Sequence, residues 1–370
     1  DADLFYRKNL YMQVHGGKKQ VKLSREELKS LMKDKLMQAG LHADDAETTA
    51  EILTWAHERG YYSHGAVRVE YYSERIAKGG ITVEPNMTWK ETGPCSGILD
   101  GDNGIGFTVA KVGMEKAIEM AKKNGIAVVG MANLSHSGSI GYYTEMAADE
   151  GLLSISFCQS DPMAVPYGGA EPYYGTNPMS FAAPTADDRK VVFDMATTVQ
   201  AWGKILDKRS KHEEIPADWA VDEDGAPVTD PHKVNALNPI AGAKGYGLMM
   251  LVDVFSGILL GVPFGGHVSS MYHDLSEGRR LGQMHIVIDP ERFVGADAFK
   301  AAMGQCLDEL DAMKPAPGFD KVNYPGERAK NRMEKAYATG GLDVADELVE
   351  YLKGEAVHFD RYDHKNRFAD

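Results

Sequence analysis

Between residues 107 and 158 the chain changes its hydrophobic period repeatedly, and this limits the folds open to it. Residues 107–123 carry helical spacing that stops at Asn124-Gly125. Ile126 to Met131 is an unbroken apolar run, and a polar turn follows from Asn133 to Gly138. A second helical stretch reaches Glu150, and Gly151 precedes another apolar run, Leu152 to Cys158. Strand, helix and strand at this spacing predict a parallel crossover, since two parallel strands need a long connection. Loops leaving the carboxyl ends of such strands share one edge of the sheet, where ligands bind. Asn133–Gly138 and Gln159–Pro166 are two loops of that kind. Val191–Phe193 reads as a further short strand with Asp194 at its exit.

Helices come first. Ser24-Arg25-Glu26-Glu27 has the form of a capping box, so a helix is expected from there to Gly40. Asp44 and Glu47 repeat the pattern, and that helix stops at Gly60. A third is expected from Ser63 to Gly79-Gly80. Residues 21–90 therefore read as a helical domain, joined by 330–370 from the other end of the chain, where Lys330 to Leu352 returns to helical spacing. Residues 91–329 form the α/β region, with the polar, proline-rich stretch 205–240 as a lid or subdomain. Residues 1–20 are set aside: NLYMQ (Asn9 to Gln13) looks like a degraded protease-site tag and GGKKQ like a linker.

With 370 residues, 43% of them hydrophobic, the chain has ample material for a core and for two or three domains. A net charge of −14 disfavours nucleic acid or an anionic membrane as partner. Cys95, Cys158 and Cys306 are odd in number and far apart. That argues against a disulfide framework or a cysteine zinc site and for a reducing, cytoplasmic setting, with no secretory signal in view. Residues 245–266 are the one stretch apolar enough to suggest a membrane span. Asp253 lies in its middle, a costly place for a charge in lipid, so it reads as a buried core helix.

Several residues carry chemistry. With Ser63 as cap, His64, Arg68 and Tyr72 follow at four-residue intervals and share one helix face. A titratable imidazole, a cation and a phenol on one stripe suit a carboxylate with a neighbouring oxygen, or form an ordinary basic-aromatic surface. His136 lies in a loop at the ligand edge, where an alcohol oxidation would need a base, or is an incidental histidine of a helix-capping loop. Ser160 and Asp161 occupy the other such loop, as ligand contacts or as a plain turn. Lys244, in Gly242-Ala243-Lys244-Gly245-Tyr246-Gly247, opens an apolar helix. A lysine there serves an anion such as a pyrophosphate, or is simply solvated. No G-x-G-x-x-G follows a strand, and no Walker A, H-E-x-x-H or G-x-S-x-G pattern occurs, so standard Rossmann, metal and serine-hydrolase chemistries lack support.

The ordered set Ser63-His64-Gly65, Arg68, His136, Gly175-Thr176-Asn177-Pro178, Asp194-Met195-Ala196, Lys244-Gly245-Tyr246-Gly247 and Pro325-Gly326-Glu327 resembles the malate/L-lactate dehydrogenase family that lacks a Rossmann fold. The likeness runs from about Val21 to the C-terminus, through HGAVRVEYYSERIAKGG (64–80), CQSDPM (158–163), FDMATTVQAWGK (193–204) and PAPGF (315–319). The resemblance implies that family's own α/β fold, with a helical domain and an unusual dinucleotide-binding sheet, assembled as a homodimer. It implies NAD-dependent oxidation of a small 2-hydroxy acid: (S)-ureidoglycolate to oxalurate, in allantoin degradation. A related 2-hydroxy acid such as malate, lactate, sulfolactate or diketogulonate is the alternative, and a non-catalytic nucleotide-binding scaffold the remote one. By position, His136 resembles the proton acceptor of one branch and His64 the acid of another, with Arg68 orienting substrate oxygens. Ser63, Tyr72, Ser160 and Arg279 look like substrate contacts. Ser160, Asp194, Met195, Ala196, Lys244, Gly245, Gly326 and Glu327 look like cofactor contacts. No metal is implied.

Overall fold

The computed structural model describes residues 19–363, so nearly all of the suspected tag lies outside the described residues. Gln20 opens β1 (Gln20–Leu23), so the boundary drawn at residue 20 falls inside a strand. β1 pairs antiparallel with β11 (Leu342–Ala345) and ties the two ends of the chain together. The capping box holds at α1 (Arg25–Gln38): Ser24 Oγ accepts the Glu27 N–H at 3.1 Å, and Glu27 accepts the Ser24 N–H at 2.8 Å. In α2 (Ala43–Glu58) the cap is His42, without a side-chain bond, and Asp44 sits in the first turn, where its charge favours the helix dipole.

The third helix departs from expectation. Two 3₁₀ turns, Tyr62–His64 and Ala66–Arg68, precede α3 (Val69–Ala77), and Ser63 caps nothing. Gly65 breaks the run because the chain presses on α2 there. A Cβ at Gly65 would stand 2.9 Å from the Cβ of His57. His64, Arg68 and Tyr72 are therefore not on one helix stripe.

The main sheet has seven strands in the order β2-β3-β4-β10-β5-β6-β7. These are β2 (Thr88–Gly93), β3 (Ser96–Asp100), β4 (Ile126–Leu134), β5 (Leu153–Cys158), β6 (Met179–Pro184), β7 (Lys190–Met195) and β10 (Leu281–Ile288). α4 (Gly106–Asn124) ends at Gly125, whose φ of +90° gives the left-handed turn into β4. α5 (Gly141–Asp149) leads to β5. β4 and β5 run the same way, but they do not pair. β10 lies between them, antiparallel to both. The expected crossover is thus split by a strand from far downstream, which local spacing has no means of showing.

One sheet face, with Ala127, Val129, Ser154, Ala182, His285 and Val287, is buried under α4 and α5. On the other face α7 (Ala243–Ser256) covers Phe157 and Met284, and α8 (Ala296–Asp311) covers Ala183 and Val191. Cross-strand pairing sets Val128, Ile286, Ile155, Phe181 and Phe193 in one row on that face, all of them half-buried or exposed.

α7 is not the fully buried helix expected. Met249, Val252 and Asp253 are buried, but Met250 and Val254 are exposed, as are Ile258 and Leu259 just beyond, the last at 60%. Ala243–Leu260 is apolar and long enough to cross a membrane by composition alone. Here α7 packs on the sheet, and the buried Asp253 carboxylate accepts the Gly265 N–H at 3.0 Å. Within 205–240, α6 (Trp202–Lys211) and the strand pair β8 (Ala220–Val221) and β9 (Ala236–Leu237) join Met163, Tyr174 and Met249 in a second small core. The C-terminal part is α9 (Glu327–Ala338), then β11, then α10 (Asp346–Lys353), rather than continuous helix. Gly340 and Gly341, both at positive φ, end α9 and turn the chain into the strand.

Candidate active site

β4 delivers His136 two residues past its end, and α3 meets it from the other side. Tyr72 Oη lies 2.6 Å from His136 Nδ1, and the Gly138 N–H donates to the same nitrogen at 3.2 Å. The Gly138 amide can only donate, so it favours a bare Nδ1, with the neutral ring's proton on Nε2. The phenol can donate or accept. For Nε2 to take up a proton, Nδ1 must hold the ring's other proton, and Tyr72 Oη is placed to receive that bond. The His64 ring stacks beside His136 at 6.0 Å between centroids. Ser63 Oγ lies 3.0 Å from His64 Nδ1, and Arg68 Nε donates to Ser63 O at 2.7 Å. His64, Arg68 and Tyr72, the three residues expected on one stripe, do converge, together with Ser63, by way of the 3₁₀ turns.

Burial and neighbouring positive charge disfavour the charged form of both rings. Burial, with Arg68 adding to it, pushes His64 down to about 4. Burial, then His64, Arg68 and Arg279, hold His136 well below its ordinary value. Burial also raises the Tyr72 phenol well above its usual range.

Arg279 lies in the loop before β10 and is only 1% exposed. Nε and Nη2 donate to Ser269 Oγ (3.0 Å) and Ser269 O (2.8 Å), and Nη2 is 3.5 Å from the buried Asp161 carboxylate. Nη1 is buried without a hydrogen-bond partner among the described residues. A buried donor of this kind is costly unless something pairs with it. Asp161 therefore has a structural task that its loop position alone did not reveal.

The other assigned positions gather at the exit of β7. Ser160 Oγ is 3.1 Å from Thr176 Oγ1, and Thr176 O accepts the Thr197 N–H at 2.9 Å. Thr197 O in turn accepts the Ile240 N–H at 2.9 Å, just ahead of Lys244. On the other side, Pro325 O accepts the Val192 N–H at 3.1 Å, which seats Gly326 against β7. Ser160, Met195, Ala196 and the segment leading to Lys244 thus meet at the exit of β7, and Gly326 lies farther back along the same strand. The Asp194 carboxylate accepts from Ser139 Oγ and the Gly141 N–H, both at 2.8 Å. It is thereby committed to the start of α5, and it ties this edge to the His136 loop. Burial raises its pKa in spite of both bonds.

This edge fits a dinucleotide. Lys244 is exposed in the first turn of α7, the Gly242 cap provides no side chain for the amides there, and no acid stands in that turn. Gly245 has no room for a side chain, since a Cβ would lie 1.8 Å from Ile240 O. Glu327 is buried, bonded to Lys321 through Oε1, and its Oε2 has no partner among the described residues. Two residues of the site escaped the sequence reading. Tyr272 Oη accepts from Arg68 Nη1 at 2.7 Å, and Arg75 Nη1 reaches Met271 O at 3.4 Å. Tyr272 and Met271 both lie in the loop that precedes β10, and only the fold of that loop shows which residue meets Arg68.

A chain with these features is a 2-hydroxy acid type dehydrogenase: the profile of the malate/L-lactate dehydrogenase family matches residues 23–353, and the chain belongs to that family. Among its relatives, ureidoglycolate dehydrogenase (NAD(+)) of Escherichia coli K12 is 55% identical over 94% of this chain and the whole of that protein. The structure of sulfolactate dehydrogenase from Methanocaldococcus jannaschii superposes with a TM-score of 0.84 at 35% identity, covering 90% of this chain and 96% of the other. Malate dehydrogenase from Pyrococcus horikoshii OT3 gives 0.81 at 32% identity, covering 91% and 95%. The fold expectation therefore holds, and the chain is an oxidoreductase.

Proposed function

We propose that this enzyme oxidises ureidoglycolate to oxalurate with NAD⁺. The observation that carries this reading is the 55% identity, over 94% of the chain, to a relative of that activity, joined to a site holding two neutral histidines and two arginines. Arg68 and the unpaired Nη1 of Arg279 hold the substrate carboxylate. From the tautomer whose Nδ1–H donates to Tyr72 Oη, His136 takes the C2 hydroxyl proton at Nε2, and His64 with Ser63 orients the neighbouring oxygen. NAD⁺, when bound, supplies the hydride acceptor. Lys244 and the α7 N-terminus would hold its pyrophosphate, Glu327 a ribose hydroxyl, and Ser160, Met195 and Ala196 the edge along β7. A panel of ureidoglycolate, malate, lactate and sulfolactate, each with NAD⁺ or NADP⁺, should give strong NADH absorbance with ureidoglycolate and NAD⁺ alone. A larger kcat/KM with another acid would move the substrate assignment to that acid.

The exposed apolar residues on the sheet face that carries α7 and α8, Phe181, Ile258 and Leu259, are read as the seat of a second copy. Light scattering should return twice the 40.5 kDa of one chain, and Leu259→Glu should shift the mass towards one. A wild-type mass of a single chain would end this reading. The three free cysteines suit a reducing, cytoplasmic setting.

A further inference from the structure

We propose that the C-terminal segment His358–Asp363 is a strap that positions Arg68 through Tyr272, and that Tyr362 is its positioning residue. The proposal rests on the reading of Arg68 as a substrate-carboxylate group. Tyr272 lies in a loop, outside any helix or strand, so its place depends on what packs around it. Its hydroxyl accepts from Arg68, and its ring meets Tyr71 of α3 edge-on at 5.9 Å. On another side the Tyr362 ring stacks on it at 6.2 Å and 22°, and Tyr362 also meets Tyr71 at 5.7 Å. Two residues further along the loop, the Asp274 N–H donates to Asp363 Oδ1 at 3.0 Å. The strap thus touches this loop twice.

Its other side is bolted to α3. Glu74 Oε2, fully buried, accepts the N–H groups of Arg361 at 3.0 Å and Tyr362 at 3.1 Å. Arg361 Nη1 is 3.3 Å from the carboxylate of buried Glu70, one turn earlier. Lys78 joins Glu74 to Asp360, at 2.9 Å and 3.1 Å. Two buried carboxylates on one helix are tolerated only where charge and N–H groups meet them, and here the strap supplies most of those groups. The same helix carries Tyr72 and Arg75, the latter bonded to Met271 O and Glu277 O. At its end, Gly80 lets the loop approach so closely that a Cβ would stand 2.0 Å from Leu275 O. Helix, loop and strap form one packed unit around the Tyr272–Arg68 bond.

The test uses the full chain with Tyr362→Ala and Tyr362→Phe. Tyr362→Ala is expected to raise KM for the 2-hydroxy acid by roughly three- to tenfold, the range of one aromatic pair. KM for NAD⁺ and kcat should stay within about twofold, because the strap touches neither the β7 edge nor His136. Hydrogen exchange of amides 270–275, read without substrate, should quicken. Tyr362→Phe should restore both readouts, since the ring is kept. Unchanged KM and exchange in Tyr362→Ala, or equal damage in both variants, would overturn the proposal. If Tyr362→Ala fails to fold, Asp363→Ala serves: Asp274 must exchange faster, and unchanged exchange counts against the strap. The exchange readout needs no turnover, so it stands or falls apart from the choice of substrate.

Discussion

His136→Ala is expected to lower kcat for the oxidation by about 10²- to 10⁴-fold, the usual weight of a general base, while NADH binding stays near that of the parent enzyme. The His64 ring is 6.0 Å away, but its Nδ1 is bound up with Ser63 and its neighbour is Arg68, so it does not take over the task. His64→Ala should cost less in kcat and more in KM. Unchanged turnover in His136→Ala would sink the base assignment, and the reverse order of effects would transfer it to His64. The pH profile adds a check on the same ring. A base must be neutral to act, and burial and arginines hold both histidines below their ordinary value, His64 at about 4. The acid limb of kcat/KM should therefore lie well below pH 6.5, with activity level from neutrality down and lost only as the ring gains its proton. An acid limb centred at 6.5 or above would contradict the neutral, desolvated ring.

Arg279→Met should be the most damaging change to stability in the site, by about 3–5 kcal/mol. The guanidinium is 1% exposed and Asp161 is 5% exposed, so deleting the cation leaves a buried carboxylate with the Met271 N–H, at 3.1 Å, and the field of Arg75 for support. At roughly 2–4 °C per kcal/mol for a chain of this order of size, Tm should fall by about 6–20 °C. The double variant Arg279→Met/Asp161→Asn should recover part of the loss, since no unpaired charge then remains. A thermal scan showing Arg279→Met within about 2 °C of the parent would mean that water already solvates Asp161. Activity separates the two tasks of this arginine. The double variant regains stability, yet it still lacks the Nη1 donor and should stay poor in kcat/KM.

Local signals were legible wherever the physics was local. The Ser24–Glu27 capping box and the left-handed Gly125 stand where the sequence places them, because the residues that make these features are neighbours. The loop that carries His136 stands at the end of β4, where the spacing places it. Ser63 misled because it has the chemistry of a cap, whereas packing of Gly65 on His57 decides that turn. The strand after α9 was read as helix because its four residues depend on β1, from the far end of the chain. Tyr272 stayed hidden for the same reason: Arg68 lies 204 residues away in sequence, and nothing near Tyr272 announces the bond. α7 looked like a core helix because it is apolar on every side, and composition does not say which side meets the sheet.

The late arrival of β10 sets the order in which a nascent chain can finish. Gln283 pairs with Met131 and Cys158, made about 150 and 125 residues earlier. At cellular synthesis rates that interval is on the order of ten seconds, during which β4 and β5 exist with their inner edges open. Open edges invite pairing with other chains. The middle of the sheet is therefore its last seam, and β1 waits longer still for β11. Recovery of native enzyme should depend less on the stability of the finished fold than on how well a half-made sheet is shielded until residue 288 leaves the ribosome.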